Sequence, residues 1–167
     1  MAGNRDVLLG QGFADAAGAA LLPERIVVDV AGTPTLLLHG DELCTGDVAY
    51  QRYRAIARNP RWRRGFLALP YALRRGVATW LRRKSRAATA AKPEAILDVD
   101  PRAVEAAFRA AGVVRMIHGH THRPAHHRLA VDGRDCDRWV LADWYGRGSY
   151  LECDAGGVRT RDVPAPA

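Results

Sequence analysis

The sequence predicts one α/β domain, on three observations. Short apolar runs of strand type alternate with stretches of helical spacing, most clearly where a helix over 100–112 feeds the apolar run 113–117. A chain of 167 residues, 48% of them hydrophobic, can bury a sizeable core. No apolar run reaches the roughly 18 residues of a membrane span, and no charged-then-apolar stretch reads as a secretory signal.

In chain order, Val7, Leu8, Phe13, Ala16 and Ala17 recur at helical spacing, so residues 7–20 are expected to form a helix behind the first loop. Ile26, Val27, Val28 and Val30, a turn over 31–34, and Thr35 with Leu36, Leu37 and Leu38 predict a hairpin whose second strand delivers His39. Residues 47–58 read as a helix that Pro60 closes. From 61 to 92, Trp62, Phe66, Leu73, Val77 and Trp80 interleave with arginines, predicting amphipathic helices broken at Pro70. Asp100-Pro101 opens a helix and Gly112 ends it. After the strand 113–117, residues 127–131 and 139–142 flank the turn Asp132-Gly133 as a second hairpin. Residues 149–153 and 158–160 are expected to complete an antiparallel edge. The Pro-Ala tail 163–167 should fray.

Charge is unevenly placed. The formal net charge is +7, yet 48–93 holds no acid and thirteen of the 25 basic residues. The rest carries 12 basic against 18 acidic residues, a net of −6. So long a cationic stretch should repel itself unless an anionic partner neutralises it. With its aromatics it suits attachment to an anionic membrane surface. Cys44, Cys136 and Cys153 are odd in number and lack CxxC spacing, which predicts free cytosolic thiols rather than a disulfide framework.

The chemistry concentrates in Ile117-His118-Gly119-His120-Thr121-His122-Arg123-Pro124, at the end of a strand. In extended backbone, His120 and His122 would share a side, and two neutral imidazoles suit a divalent transition metal. The plainer alternative is a His-rich surface loop. Gly3-Asn4-Arg5-Asp6 and His39-Gly40-Asp41 add further nitrogen and oxygen donors. Arg5 could clamp a phosphate oxygen with its planar fork, or form a surface salt bridge. Asp6 and Asp41 are expected to orient ligands from behind, as is His118 by alternation.

In the order GNRD, HGD, GHTHRP, these motifs resemble the calcineurin-like metallophosphoesterases. The longer strings LLLHGDELCTGD, FLALP and MIHGHTHRPAHH closely resemble the UDP-2,3-diacylglucosamine pyrophosphohydrolase family within that superfamily. The resemblance implies a four-layer α+β fold, a β-sandwich flanked by helices, with a basic helical lid inserted at 47–93. It implies a site for two Mn2+ ions, with Asn4, His39 and His120 on one and His122 helping to hold the other. It also implies a catalytic role for Arg5 and substrate contacts from Asn4, Arg5, His120, Asp47, Ser85, Thr89, Lys92, Tyr50 and Arg82. The family's Asp-x-His and Gly-Asp motifs, which would precede Gly3, are missing. The chain therefore reads as an N-terminally truncated, partial metallophosphoesterase domain over 1–167, expected to be inactive by itself.

The implied reaction is hydrolysis of the pyrophosphate of UDP-2,3-diacylglucosamine to UMP and 2,3-diacylglucosamine 1-phosphate, in lipid A biosynthesis, on the cytoplasmic face of the inner membrane. Another phosphoester substrate is the alternative within the superfamily. A mononuclear zinc hydrolase built on His39, His120 and His122 is a third reading. A nucleic-acid module would use the arginines with Trp62, Tyr71 and Trp80. It leaves three separated metal-type motifs unexplained, so nucleic acid is not expected as a partner.

Overall fold

The computed structural model describes residues 1–90, 92–145 and 148–163, without the side chains of Thr89, Ala90, Glu94 and Ala95. It is a mixed α/β structure. A five-stranded sheet has the order β1 (Arg25–Val30), β2 (Thr33–Leu38), β3 (Arg115–His118), β5 (Arg134–Val140) and β4 (Ala125–Val131), and β6 (Ser149–Asp154) and β7 (Gly157–Asp162) form a separate two-stranded ribbon.

Strands β1 (Arg25–Val30) and β2 (Thr33–Leu38) form the expected hairpin. Its turn holds Ala31 and Gly32 at φ of 50° and 77°, the doubly left-handed turn that matches the twist of paired strands. Parallel pairing then joins β2 to β3 (Arg115–His118) and β3 to β5 (Arg134–Val140). Edge strand β4 (Ala125–Val131) runs antiparallel to β5 through a turn at Asp132 and Gly133 with the same handedness. Strand β5 begins five residues before the expected 139, because the tight turn fixes pairing through the polar stretch Arg134 to Asp137.

Helix α6 (Pro101–Ala111) covers one sheet face and obeys its sequence signals. The Asp100 side chain caps the Arg102 N–H, Pro101 sits in the first turn, and Gly112 ends the helix at φ 67°. Val104, Ala107 and Phe108 share one stripe and pack with Leu36, Leu38, Met116, Val131 and Cys136. Phe108 has no exposed surface, and truncating such a side chain to alanine typically costs about 3–5 kcal/mol.

Three expectations need correction. The first helix, α1, spans only Gln11–Ala16, between Gly10 and Gly18, and buries Ala14 while Phe13 is 55% exposed. Pro60 opens a helix rather than closing one: α2 (Val48–Ala57) is followed by α3 (Pro60–Leu67), whose Asn59 cap accepts from the Arg61 and Trp62 N–H groups. Strands β6 (Ser149–Asp154) and β7 (Gly157–Asp162) pair with each other and do not extend the large sheet. Among the described residues of the basic stretch, only Arg54, Arg58 and Lys92 pair with acids outside it, while Arg61, Arg64, Arg82, Arg83 and Arg86 are exposed. Arg54 and Arg58 pair with Asp41 and Glu24, Arg54 also with Glu42, and Lys92 with Asp47.

The break at Pro70 is as expected, and α4 (Tyr71–Ala90) follows it. A short α5 (Glu94–Leu97) leads into α6. Among the described residues no helix is long and apolar enough to cross a membrane. The three cysteines are free, Cys44 and Cys136 buried and Cys153 half-buried. The end of the tail, 164–167, lies outside the described residues.

Candidate active site

Strands β2, β3 and β5 are parallel, so their carboxyl ends reach the same edge of the sheet. Open α/β sheets bind ligands at that edge, because the chain leaves each strand there in a free loop. The loop after β2 starts with His39, the loop after β3 carries Gly119 to His122, and the loop after β5 carries Asp143 and Tyr145. Two hydrogen bonds carry the sheet's pairing into these loops: Gly119 N–H donates to His39 O at 3.0 Å, and Leu141 N–H to His118 O at 2.8 Å.

His39 and His120 meet edge to face, ring centroids 5.2 Å apart. The N-terminal loop closes on them, with the Asn4 backbone N–H donating to His39 Nε2 at 3.3 Å. That closeness uses a glycine: a Cβ at Gly3 would stand 3.0 Å from His39 Cε1. Burial pushes both imidazoles below their ordinary pKa, His120 to about 4. Both are therefore neutral near pH 7, and the one lone pair of His39, on Nε2, already accepts from the Asn4 N–H. His122 lies close enough that its charge would act on both.

The loop backbone differs from the extended form expected. His120 and His122 sit at φ of 69° and 54°, a left-handed region costly for side-chain-bearing residues and common where a loop must aim side chains. The two rings reach their positions through this strained turn rather than through strand alternation.

Beneath this edge lies a buried ionic cluster. Asp41 is 1% exposed, and its Oδ2 accepts from Tyr50 Oη at 2.6 Å, Arg54 Nε at 3.1 Å and Arg58 Nη2 at 3.0 Å. Burial alone would raise the Asp41 pKa, but the Tyr50 hydroxyl and the two guanidinium groups hold it below the ordinary carboxylate value. The Tyr50 ring stacks at 5.9 Å on His120. Asp41 thus ties α2 to the loop after β2 and seats a wall against His120.

No family model matches the chain. It is 49% identical over 162 residues to the UDP-2,3-diacylglucosamine hydrolase of Cellvibrio japonicus, covering 97% of this chain and 68% of that protein. The protein of the same name from Pseudomonas paraeruginosa is 50% identical over 164 residues, 98% of this chain and 68% of the relative.

The chain belongs to the UDP-2,3-diacylglucosamine hydrolase family.

A further member, from Bordetella parapertussis, is 49% identical over 167 residues, covering 96% of this chain and 65% of its own length. The chain thus spans just under two thirds of the length of that relative.

The family's other expected residues are distributed as follows. Arg5 is exposed and donates from Nη1 to Tyr145 Oη at 3.3 Å. Asp6 is exposed beside Gly3, and its charge acts on His39. Asp47 caps α2 by accepting from Tyr50 N–H, and its Oδ2 pairs with Lys92 Nζ at 2.5 Å. These two expected substrate contacts therefore satisfy each other. Arg82 and Ser85 are exposed on α4, while the Thr89 side chain lies outside the described residues. His118 turns inward, away from solvent. Its Nδ1–H donates to Gly119 O at 2.9 Å, and Nε2 accepts from Arg138 at 2.9 Å.

Sequence reasoning missed Asp143, whose Oδ2 lies 3.1 Å from His122 Nδ1, and also Tyr145 and Arg138. No spacing rule relates them to the histidines, and only the parallel pairing of β3 with β5 brings them there. The donor set of His39, His120 and Asn4 fits one divalent ion in kind, two neutral imidazoles and an amide. Among the described residues, no group of three His, Cys, Asp or Glu side chains is gathered to hold an ion.

Proposed function

We propose that this chain carries part of a site that hydrolyses the pyrophosphate of UDP-2,3-diacylglucosamine to UMP and 2,3-diacylglucosamine 1-phosphate, in lipid A biosynthesis. The observation that carries this reading is the meeting of Asn4, His39 and His120, from three remote segments, at the carboxyl edge of the parallel strands. The names of relatives about half identical over nearly the whole chain support the choice of substrate.

In this reading Asn4, His39 and His120 hold one Mn2+, and His122 contributes to a second. Such ions, when bound, would supply Lewis acidity toward the phosphoryl oxygens and the attacking water. The protein's part is to keep the imidazoles neutral by burial and to hold the His120 ring against Tyr50. Arg5, exposed at the rim, clamps a phosphate oxygen, exchanging its bond to the Tyr145 hydroxyl for a charge-assisted one.

The finer fold belongs to the same reading, a calcineurin-like β-sandwich in four layers. Support comes from the register: Ile26, Leu37, Ile117 and Trp139 are neighbours on the sheet face opposite α6. A sheet that is apolar on both faces suits a layered fold covered on each side. Residues 47–93 act as a lid, latched at its base by the Asp47–Lys92 pair. Arg61, Arg64, Arg82, Arg83 and Arg86 are exposed there with Tyr71, Leu73 and Trp80. This surface meets the phosphates and acyl chains of the substrate, and the anionic cytoplasmic face of the inner membrane.

Calorimetric titration of Mn2+ tests the site. Binding by the chain that disappears in His39→Ala and His120→Ala supports it, and equal binding by these variants overturns it. Mn2+-dependent UMP release from UDP-2,3-diacylglucosamine, exceeding release from UDP-N-acetylglucosamine, tests the substrate. Failure to float with anionic vesicles would refute the membrane assignment.

A further inference from the structure

We propose that the ring of Tyr145 is the face on which the nucleobase of the substrate stacks, so that the loop after β5 holds the nucleoside half of the molecule. This rests on the substrate reading above and needs no metal ion. Tyr145 is 79% exposed, more than any other large apolar side chain among the described residues. A single exposed aromatic is ordinary, and position is what distinguishes this one. Its hydroxyl accepts from Arg5 Nη1 at 3.3 Å, and its ring centroid lies 6.2 Å from that of His122. Tyr145 therefore stands at the rim of the candidate site, within one nucleotide's length of the candidate phosphate clamp. The two rings are tilted by 47° rather than stacked, so His122 does not cover the face of the phenol.

The segment that carries this ring is anchored on both sides. Leu141 N–H donates to His118 O at 2.8 Å, and the Trp144 indole N–H donates to Ser149 O at 3.0 Å. Gly148 lies against that indole, where a Cβ would stand 3.1 Å from Trp144 Cδ2. A ring held by an anchored segment and by its own hydroxyl loses little freedom when a base settles on it, which favours binding. Arg5 and Tyr145 then divide the nucleotide between them. The guanidinium takes the phosphate through charge-assisted N–H bonds, and the phenol takes the flat face of the base.

Comparing UMP with ribose 5-phosphate, which keeps the sugar and phosphate and lacks the base, isolates the stacking. Titrated into the metal-free chain and followed by NMR, UMP should bind about 5- to 150-fold more tightly than ribose 5-phosphate, the range expected for one base on one aromatic ring. Tyr145→Phe should keep that ratio, because the phenyl face remains. Tyr145→Ala should bring it close to one, with the melting temperature unchanged because the side chain is so exposed. An unsubstituted chain with no preference for UMP, or with no binding of either compound, overturns the proposal, as does a preference that survives Tyr145→Ala. The hydrolase reading fails separately: a chain that prefers UMP yet releases none from UDP-2,3-diacylglucosamine overturns the hydrolysis and leaves the stacking face in place.

Discussion

Asp41→Asn removes a single charge from the buried ionic cluster and keeps its shape. The side chain is 1% exposed, and the facing side chains of Arg54 and Arg58 are 16% and 11% exposed. Removing one partner of a buried ion pair costs about 3–5 kcal/mol, chiefly because the remaining charge loses its compensation. Here both arginines keep Glu24, and Arg54 keeps Glu42, so the expected loss is at the lower end, about 3 kcal/mol. For a chain of this size that corresponds to a fall in Tm of roughly 6–12 °C. Urea unfolding followed by circular dichroism measures the loss directly. The folded Asp41 carboxyl titrates below its unfolded value, so its contribution is present above about pH 4 and is lost as pH falls through the folded pKa. The gap between the two proteins should therefore close in acid. A loss under about 1 kcal/mol near neutrality, or a gap that persists at low pH, would show that Asp41 does not anchor α2 in this way.

Two other perturbations follow from the same edge of the sheet. Gly40 holds φ 107°, and a Cβ there would stand 2.8 Å from His118 Nδ1, so Gly40→Ala should cost about 3 kcal/mol in chemical unfolding. Gly12→Ala, in open space within α1, should instead stabilise by about 0.5–1 kcal/mol; equal effects of the two substitutions would contradict the steric argument. Burial holds His118 and His120 at a pKa of about 4, so the unfolded chain binds more protons between there and about 6.5. Thermal stability should decline as pH drops through that window, and a flat profile would mean that these imidazoles are not buried neutral.

Much of the framework was legible because its signals are local. The apolar run Ile26, Val27, Val28 and Val30 before a Gly-containing turn pointed to the β1–β2 hairpin, and Asp100-Pro101 with Gly112 to α6 nearly residue for residue. The helix expected over 7–20 shrank because three glycines interrupt its periodicity. Pro60 was misread because proline closes one helix and opens another equally well, and the Asn59 cap decides between them.

By itself the sequence determined where metal-type donors concentrate, because His-Gly-His-Thr-His, His-Gly-Asp and Gly-Asn-Arg-Asp gather them in short runs. Tertiary structure alone decided what those donors face. Parallel pairing of β2, β3 and β5 brings His39, His120 and Asp143 to one edge from points spread over about a hundred residues of the chain. The same folding turns Asp41 and His118 inward to bind arginines. Spacing along a chain reports only which residues share a strand or helix face, whereas hydrogen-bonded register between remote strands decides which side chains meet.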